Sequence, residues 1–144
     1  MPQPPATFVL DAALAADTHL IGDLPLARVL LMDDARFPWL ILVPRVTGMR
    51  DLIDLPHAQQ HLFLDEVEHC AQVLRRQHTP DKLNIASLGN VVAQLHVHVI
   101  ARFAHDAAWP RPVWGVGERV AYAAEPLATQ LAQLRAALNL PPAP

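Results

Sequence analysis

Hydrophobic residues fall along this chain in two rhythms. In one they alternate with polar residues or form short solid runs, as in β-strands. In the other they recur at spacings of three and four, as in a helix with one buried face. Leu10 to Ala16, rich in Ala and Leu, predicts a short helix that ends near Asp17-Thr18. Strands follow at Thr18–Asp23, Ala27–Met32 and Trp39–Val43, punctuated by Leu24-Pro25, Asp33-Asp34, Arg36-Phe37-Pro38 and Pro44. Connections this short make the three a local antiparallel meander, because a parallel crossover needs a dozen or more residues. A long helix is expected next, with Asp54 as N-cap and Pro56 in its first turn, where a missing N–H matters least. Its apolar face is Leu62, Phe63, Val67, Cys70, Ala71, Val73 and Leu74, and Thr79-Pro80 ends it just past Gln77. Lys82–Ser87 is a fourth strand, Leu88-Gly89-Asn90 a turn, and Glu125–Leu138 a closing helix carrying Leu127, Leu131, Leu134 and Leu138 on one side.

The fifth strand, Gln94 to Arg102, reads Gln-Leu-His-Val-His-Val-Ile-Ala-Arg. Its alternation sends Gln94, His96 and His98 to one face and Leu95, Val97 and Val99 to the other. Two imidazoles two residues apart on a strand are separated by roughly 7 Å along it. They are able to address one small ligand, such as a phosphate or a metal ion.

Composition narrows the setting. A chain of 144 residues with 52% hydrophobic and 17% charged residues is expected to form one folded domain over 1–144, with its core near 19–102 and a tail and helix over 103–144. A net charge of −3 gives no basic footprint, so duplex nucleic acid is not an expected partner, whereas a site for a small phosphorylated ligand needs only local donors. The one cysteine, Cys70, permits no internal disulfide and sits on the helix's apolar stripe as a small core residue. The first positive side chain is Arg28, Asp11 interrupts the early apolar stretch, and no uncharged run is long enough to span a bilayer. A soluble cytoplasmic protein without a membrane role is expected. Residues 1–7 are too proline-rich for regular structure and read as a loose arm.

Three chemical readings compete for His96 and His98. They are core histidines satisfied by backbone partners, or two ligands of a metal site, or a nucleophile and its helper. A catalytic zinc usually takes three protein ligands, and no obvious third lies near; Gln94 is a poor ligand, and His105 serves only if the chain folds back. On the long helix, His57, His61, Asp65 and His69 at i,i+4 spacing offer a metal-binding face, although a solvated face is the commoner use of such a pattern. A neutral imidazole is a good nucleophile near pH 7, and a covalent intermediate divides one difficult displacement into two easier ones. The neighbouring imidazole, once protonated, can stabilise phosphoryl charge and assist the leaving group. No metal or other cofactor is required.

Gln94-Leu95-His96-Val97-His98-Val99-Ile100 resembles the His-φ-His-φ-His-φ-φ signature of the histidine triad (HIT) superfamily, φ being hydrophobic. Leu83-Asn84-Ile85 resembles the strand before that family's phosphate loop, Gly89-Asn90-Val91-Val92 its Gly-Gln-(Ser/Thr)-Val, and Leu40–Arg45 its apolar strand ending in Pro-Lys or Pro-Arg. The resemblance implies an α+β, HIT-like fold: a five-stranded antiparallel sheet, a long helix packed on it and a C-terminal helix. It implies a homodimer whose sheets join, and hydrolysis or transfer of a nucleoside monophosphoryl group from a phosphoramidate, a dinucleoside polyphosphate or an adenylylated adduct. Carried over, His96 is the nucleophile, His98 contacts the phosphate oxygens and helps the leaving group, and Gln94 orients His96 through its backbone carbonyl. Gly89 and Asn90 line the phosphate pocket, and Leu31 to Asp33 form part of the base and ribose site.

Two positions depart from that pattern. Gln94 stands where the first histidine belongs, and Val91 replaces the loop hydroxyl, for which Ser87 is the candidate substitute. Weakened or altered turnover is therefore expected. The alternatives are a nucleotide-binding module with little or no turnover, and a metal-dependent hydrolase using the His-x-His pair. In the Pro/Trp-rich tail, Trp109 or Trp114 is placed to cover the pocket as a Trp-Pro segment does in some family members; packing of the tail onto the body is the plainer use. Trp39 is expected to be structural, and Arg102 and Arg111 are either the nearest cations for phosphate or exposed, solvated side chains.

Overall fold

The computed structural model describes residues 7–141, so the loose arm expected over 1–7 lies outside the described residues apart from Thr7. A short helix α1 (Ala12–Asp17) leads directly into β1 (Thr18–Asp23), followed by β2 (Ala27–Met32) and β3 (Trp39–Pro44). The long helix α2 (His57–His78) precedes β4 (Lys82–Ala86) and β5 (Val97–Arg102), and α3 (Ala124–Ala137) closes the described chain. The five strands form one antiparallel sheet in the order β1-β2-β3-β5-β4. This is the expected α+β, HIT-like arrangement.

The central strands β3 and β5 are buried along their whole length, which explains why they read as near-continuous apolar runs. Leu40, Leu42, Val97 and Val99 meet Phe63, Val67, Cys70, Val73 and Leu74 of α2, with Leu134 of α3 and its C-cap Leu138 completing that core. The opposite face, bearing Ile41, Val43 and Ile100, is covered by Leu14 of α1 and by Phe37, Ala108 and Val113. Both sides of the sheet are therefore closed, one by helices and the other mostly by loop and tail.

Two expectations about α2 need correction. Asp54 does not cap it: Asp54 belongs to a separate 3-10 turn (Leu52–Asp54), where its carboxylate accepts the N–H groups of Arg50 and Asp51, and Pro56 is the N-cap of α2. Leu62 is exposed, and Glu66 takes an inward position instead. The Glu66 carboxylate accepts the N–H groups of Leu26 and Ala27 at 2.9 and 2.7 Å, satisfying backbone at the start of β2 that the sheet leaves unpaired.

The histidine strand is shorter than expected at its start. Gln94, Leu95 and His96 precede the ladder, because the Leu95 N–H donates to Met49 O rather than to a neighbouring strand. At its other end, Arg102 is only 2% exposed. Its guanidinium bonds Asp106, Asn84 Oδ1 and Arg111 O, so it is neither solvated nor free for phosphate. Asp106 also accepts the N–H groups of Phe103, Ala108 and Trp109, knotting the first turn of the tail to the sheet.

Candidate active site

His98 projects from β5 to the tail side, opposite Ile41 in register. The Trp39 indole Nε1–H donates to His98 Nδ1 at 3.0 Å. An indole nitrogen can only donate, so His98 Nδ1 must hold a lone pair and the ring's hydrogen is on Nε2. His96 has the opposite tautomer. Its Nδ1 lies 2.6 Å from Gln94 O, and a carbonyl can only accept, so the hydrogen is on Nδ1 and Nε2 keeps its lone pair. The two rings meet edge-on with centroids 5.0 Å apart. A free nitrogen lone pair and an N–H donor thus sit side by side at the same depth.

Burial pushes the His98 imidazole down to about 4, with the nearby His96 acting in the same direction. His98 is 4% exposed, and Trp114 packs edge-on against it at 4.9 Å, with Trp39 at 5.7 Å. This corrects the expectation that the helper is protonated: at neutral pH His98 is an uncharged hydrogen-bond donor. Elsewhere, burial and Glu66 push the Cys70 thiol up to about 12, as suits an inert core residue.

The two histidines open onto a cleft of about 350 Å³. It is lined by Leu14 and Asp17 of α1, Met32 and Ile41 of the sheet, the loop from Leu88 to Val92, and Trp114. Gly89 holds φ at +77°, a left-handed conformation that lets this loop turn tightly. No Lys or Arg is among the described lining residues, so an anion there relies on neutral donors.

A profile of the HIT domain matches residues 13–105, and the His-x-His pair with its preceding loop falls inside the match. The chain belongs to the histidine triad (HIT) family. Its fold is similar to that of a histidine triad protein from Bradyrhizobium japonicum at 46% identity and a TM-score of 0.90, covering 92% of this chain and 99% of that one. A histidine triad protein from Marinobacter aquaeolei VT8 gives 45% identity and a TM-score of 0.90 over 93% and 98% of the two chains. One from Sinorhizobium meliloti 1021 gives 41% and 0.88 over 90% and 96%. A comparison with curated proteins found no match.

Within this HIT domain the sequence-derived site residues separate into two groups. His96, His98, Gly89 and Asn90 converge on the cleft, and the Gln94 backbone carbonyl meets His96. Ser87, Asp33 and Trp109 are not among the residues lining it. Asp33 is occupied by His19 Nε2 at 3.1 Å and by the Tyr122 N–H. Trp109 lies over the Arg102 guanidinium, and Trp114 is the tail aromatic that reaches the histidines. His105 packs against Phe103, and Arg111 is exposed. On α2, His57 and His61 approach to 3.4 Å, but no group of three or more His, Cys, Asp or Glu that could hold a metal ion occurs among the described residues. Trp39 and the α1 wall are what sequence reasoning missed. The Trp39–His98 bond joins residues 59 apart, and the only trace of it was Trp39's place at the start of the third strand.

Proposed function

We propose that this HIT protein hydrolyses or transfers the nucleoside monophosphoryl group of a nucleotide conjugate through a covalent intermediate on His96. The observation that carries the reading is the pair of opposed tautomers. Gln94 O fixes the proton of His96 on Nδ1, leaving Nε2 to attack the α-phosphorus. As the N–P bond forms, the bond to the leaving group breaks, and the leaving group takes a proton from solvent. His98 Nε2–H, held in place by Trp39, hydrogen-bonds the phosphoryl oxygens as charge builds on them. Water then attacks phosphorus, the N–P bond breaks and the nucleoside monophosphate leaves. Gly89 and Asn90 contribute the loop side of the phosphate pocket, and neither step needs a metal.

Homodimerisation accompanies this reading. It is supported by an apolar surface where Leu52, Leu64 and Ile85 border a groove between α2 and β4, the latter an edge strand with unpaired backbone groups. No helix among the described residues is long and apolar enough to cross a membrane. A binding module with little turnover is the second reading. Val91 favours it, being 97% exposed at the cleft rim where the family pattern has a hydroxyl.

The test is intact-protein mass spectrometry after brief incubation with adenosine phosphoramidate. A nucleoside monophosphoryl adduct on wild type or His98→Ala, absent from His96→Ala, is expected. Turnover that survives in His96→Ala refutes the nucleophile. Bound nucleotide with neither adduct nor turnover establishes the binding module.

A further inference from the structure

The glutamine at the departing triad position is tied to the start of the described chain. Gln94 Nε2 donates to Val9 O at 2.9 Å, and Gln94 Oε1 accepts the Asp11 N–H at 2.8 Å. A carboxamide presents donor and acceptor from a single carbon and so pairs with backbone as a neighbouring strand would. An imidazole holds its two nitrogens on divergent sides of a ring and cannot make this pair with one segment. Asp11, fixed in this way, caps α1: its carboxylate accepts the Ala13 N–H at 2.8 Å, and its carbonyl accepts Ala15 N–H at 3.0 Å. A helix of six residues is too short to persist unaided, and Leu14 is its sole buried residue. At the far end, Asp17 O accepts the Asp33 N–H. The segment is therefore pinned at both ends, and its Leu14 and Asp17 line the cleft.

We infer that the Gln94 side chain is a positioning residue: it clasps residues 9–11 so that α1 stands as the substrate-facing wall of the cleft, and so sets affinity for the nucleoside half of the substrate. Its backbone carbonyl orients His96 independently. The clasp explains how this position does without histidine, and its role in affinity rests on the nucleotide reading above.

Both Gln94→Ala and Gln94→Glu keep the carbonyl; the first removes the clasp, and the second replaces its donor with a charged acceptor. Three readouts separate the possibilities: hydrogen exchange at the Asp11 amide, binding of adenosine monophosphate, and KM against kcat for adenosine phosphoramidate. In Gln94→Ala the Asp11 amide should exchange at least about tenfold faster and KM rise about tenfold, with kcat within about threefold of wild type. Tenfold is about 1.4 kcal/mol, in the range of one or two such hydrogen bonds. Gln94→Glu keeps the acceptor for Asp11 but loses the donor to Val9, and should fall between. Unchanged Asp11 exchange in Gln94→Ala overturns the clasp. A lower kcat at unchanged KM overturns its role in affinity by placing the side chain in the reaction step. If wild type neither binds nor turns over nucleotide, the functional reading fails and the affinity role with it, while Asp11 exchange still decides whether the clasp exists.

Discussion

The neutrality of His98 has a thermodynamic consequence that can be measured without any substrate. Its imidazole is held at about 4 by burial and by His96, against 6.5 for an ordinary histidine. Above pH 6.5 the folded and unfolded chains both carry it neutral, and it adds no pH dependence. As pH falls below 6.5 the unfolded chain takes up a proton that the folded chain refuses until about 4, so stability is lost across that interval. Each pH unit is worth up to about 1.4 kcal/mol, and the whole interval about 3 kcal/mol. Other groups titrate in the same range, including His78, which burial also lowers. The comparison should therefore be wild type against His98→Asn, with urea denaturation at several pH values between 7 and 4.5. The stability advantage of wild type should shrink by roughly 2.5 kcal/mol over that range. NMR titration of the His98 ring in wild type gives the same quantity directly and does not depend on the variant folding. A midpoint near 6.5, or a stability difference that stays flat with pH, would refute the argument.

Trp39→Phe removes a hydrogen bond of about 1–1.5 kcal/mol that only the neutral His98 can accept, so the ring's titration midpoint should rise by about one pH unit. The same variant loses the tautomer lock, and the rate of adduct formation should fall by up to about tenfold in stopped-flow measurements. Burial favours the neutral form of the Asp106 carboxyl, but Arg102 and three backbone N–H groups overcome this and hold it well below the usual carboxylate range. Its stabilisation is therefore present above about pH 4 and lost below that. Asp106→Asn should cost about 3–5 kcal/mol in denaturant melts at pH 7, as expected when a buried ion pair loses one partner. In Gly89→Ala the new Cβ meets only ordinary contact with Val92 O at 3.6 Å, so the strain of the positive φ dominates. A loss of about 1–2 kcal/mol in thermal or urea unfolding is expected, and no loss would show that the loop re-forms freely.

The strand pattern was legible because it depends on neighbours in sequence. β1 and β2 have the bounds that alternation and turn residues predict, and the split of Val97 and Val99 from His98 follows from the pleat alone. The histidine pair and the glycine turn were legible as well, since both lie in one short segment. What escaped detection depends on contacts across the fold. The strand register sets Trp39 beside His98, and nothing local to either residue announces it. Arg102 reads as a surface cation until Asp106 folds back onto it. Glu66 turns inward because the start of β2 needs two acceptors, a requirement invisible within the helix. Trp114 rather than Trp109 reaches the histidines, a choice made by the path of the tail.

Cys70 makes the chain its own reporter. It is the single thiol in the sequence, fully enclosed between α2 and the sheet, and pushed up to about 12. A thiol-reactive dye therefore labels the protein only when α2 lifts away, and the labelling rate counts those openings. A ligand that binds only the closed form slows labelling in proportion to its occupancy. Nucleotide analogues can thus be ranked on the unmodified protein, one thiol per chain, whether or not any of them is turned over.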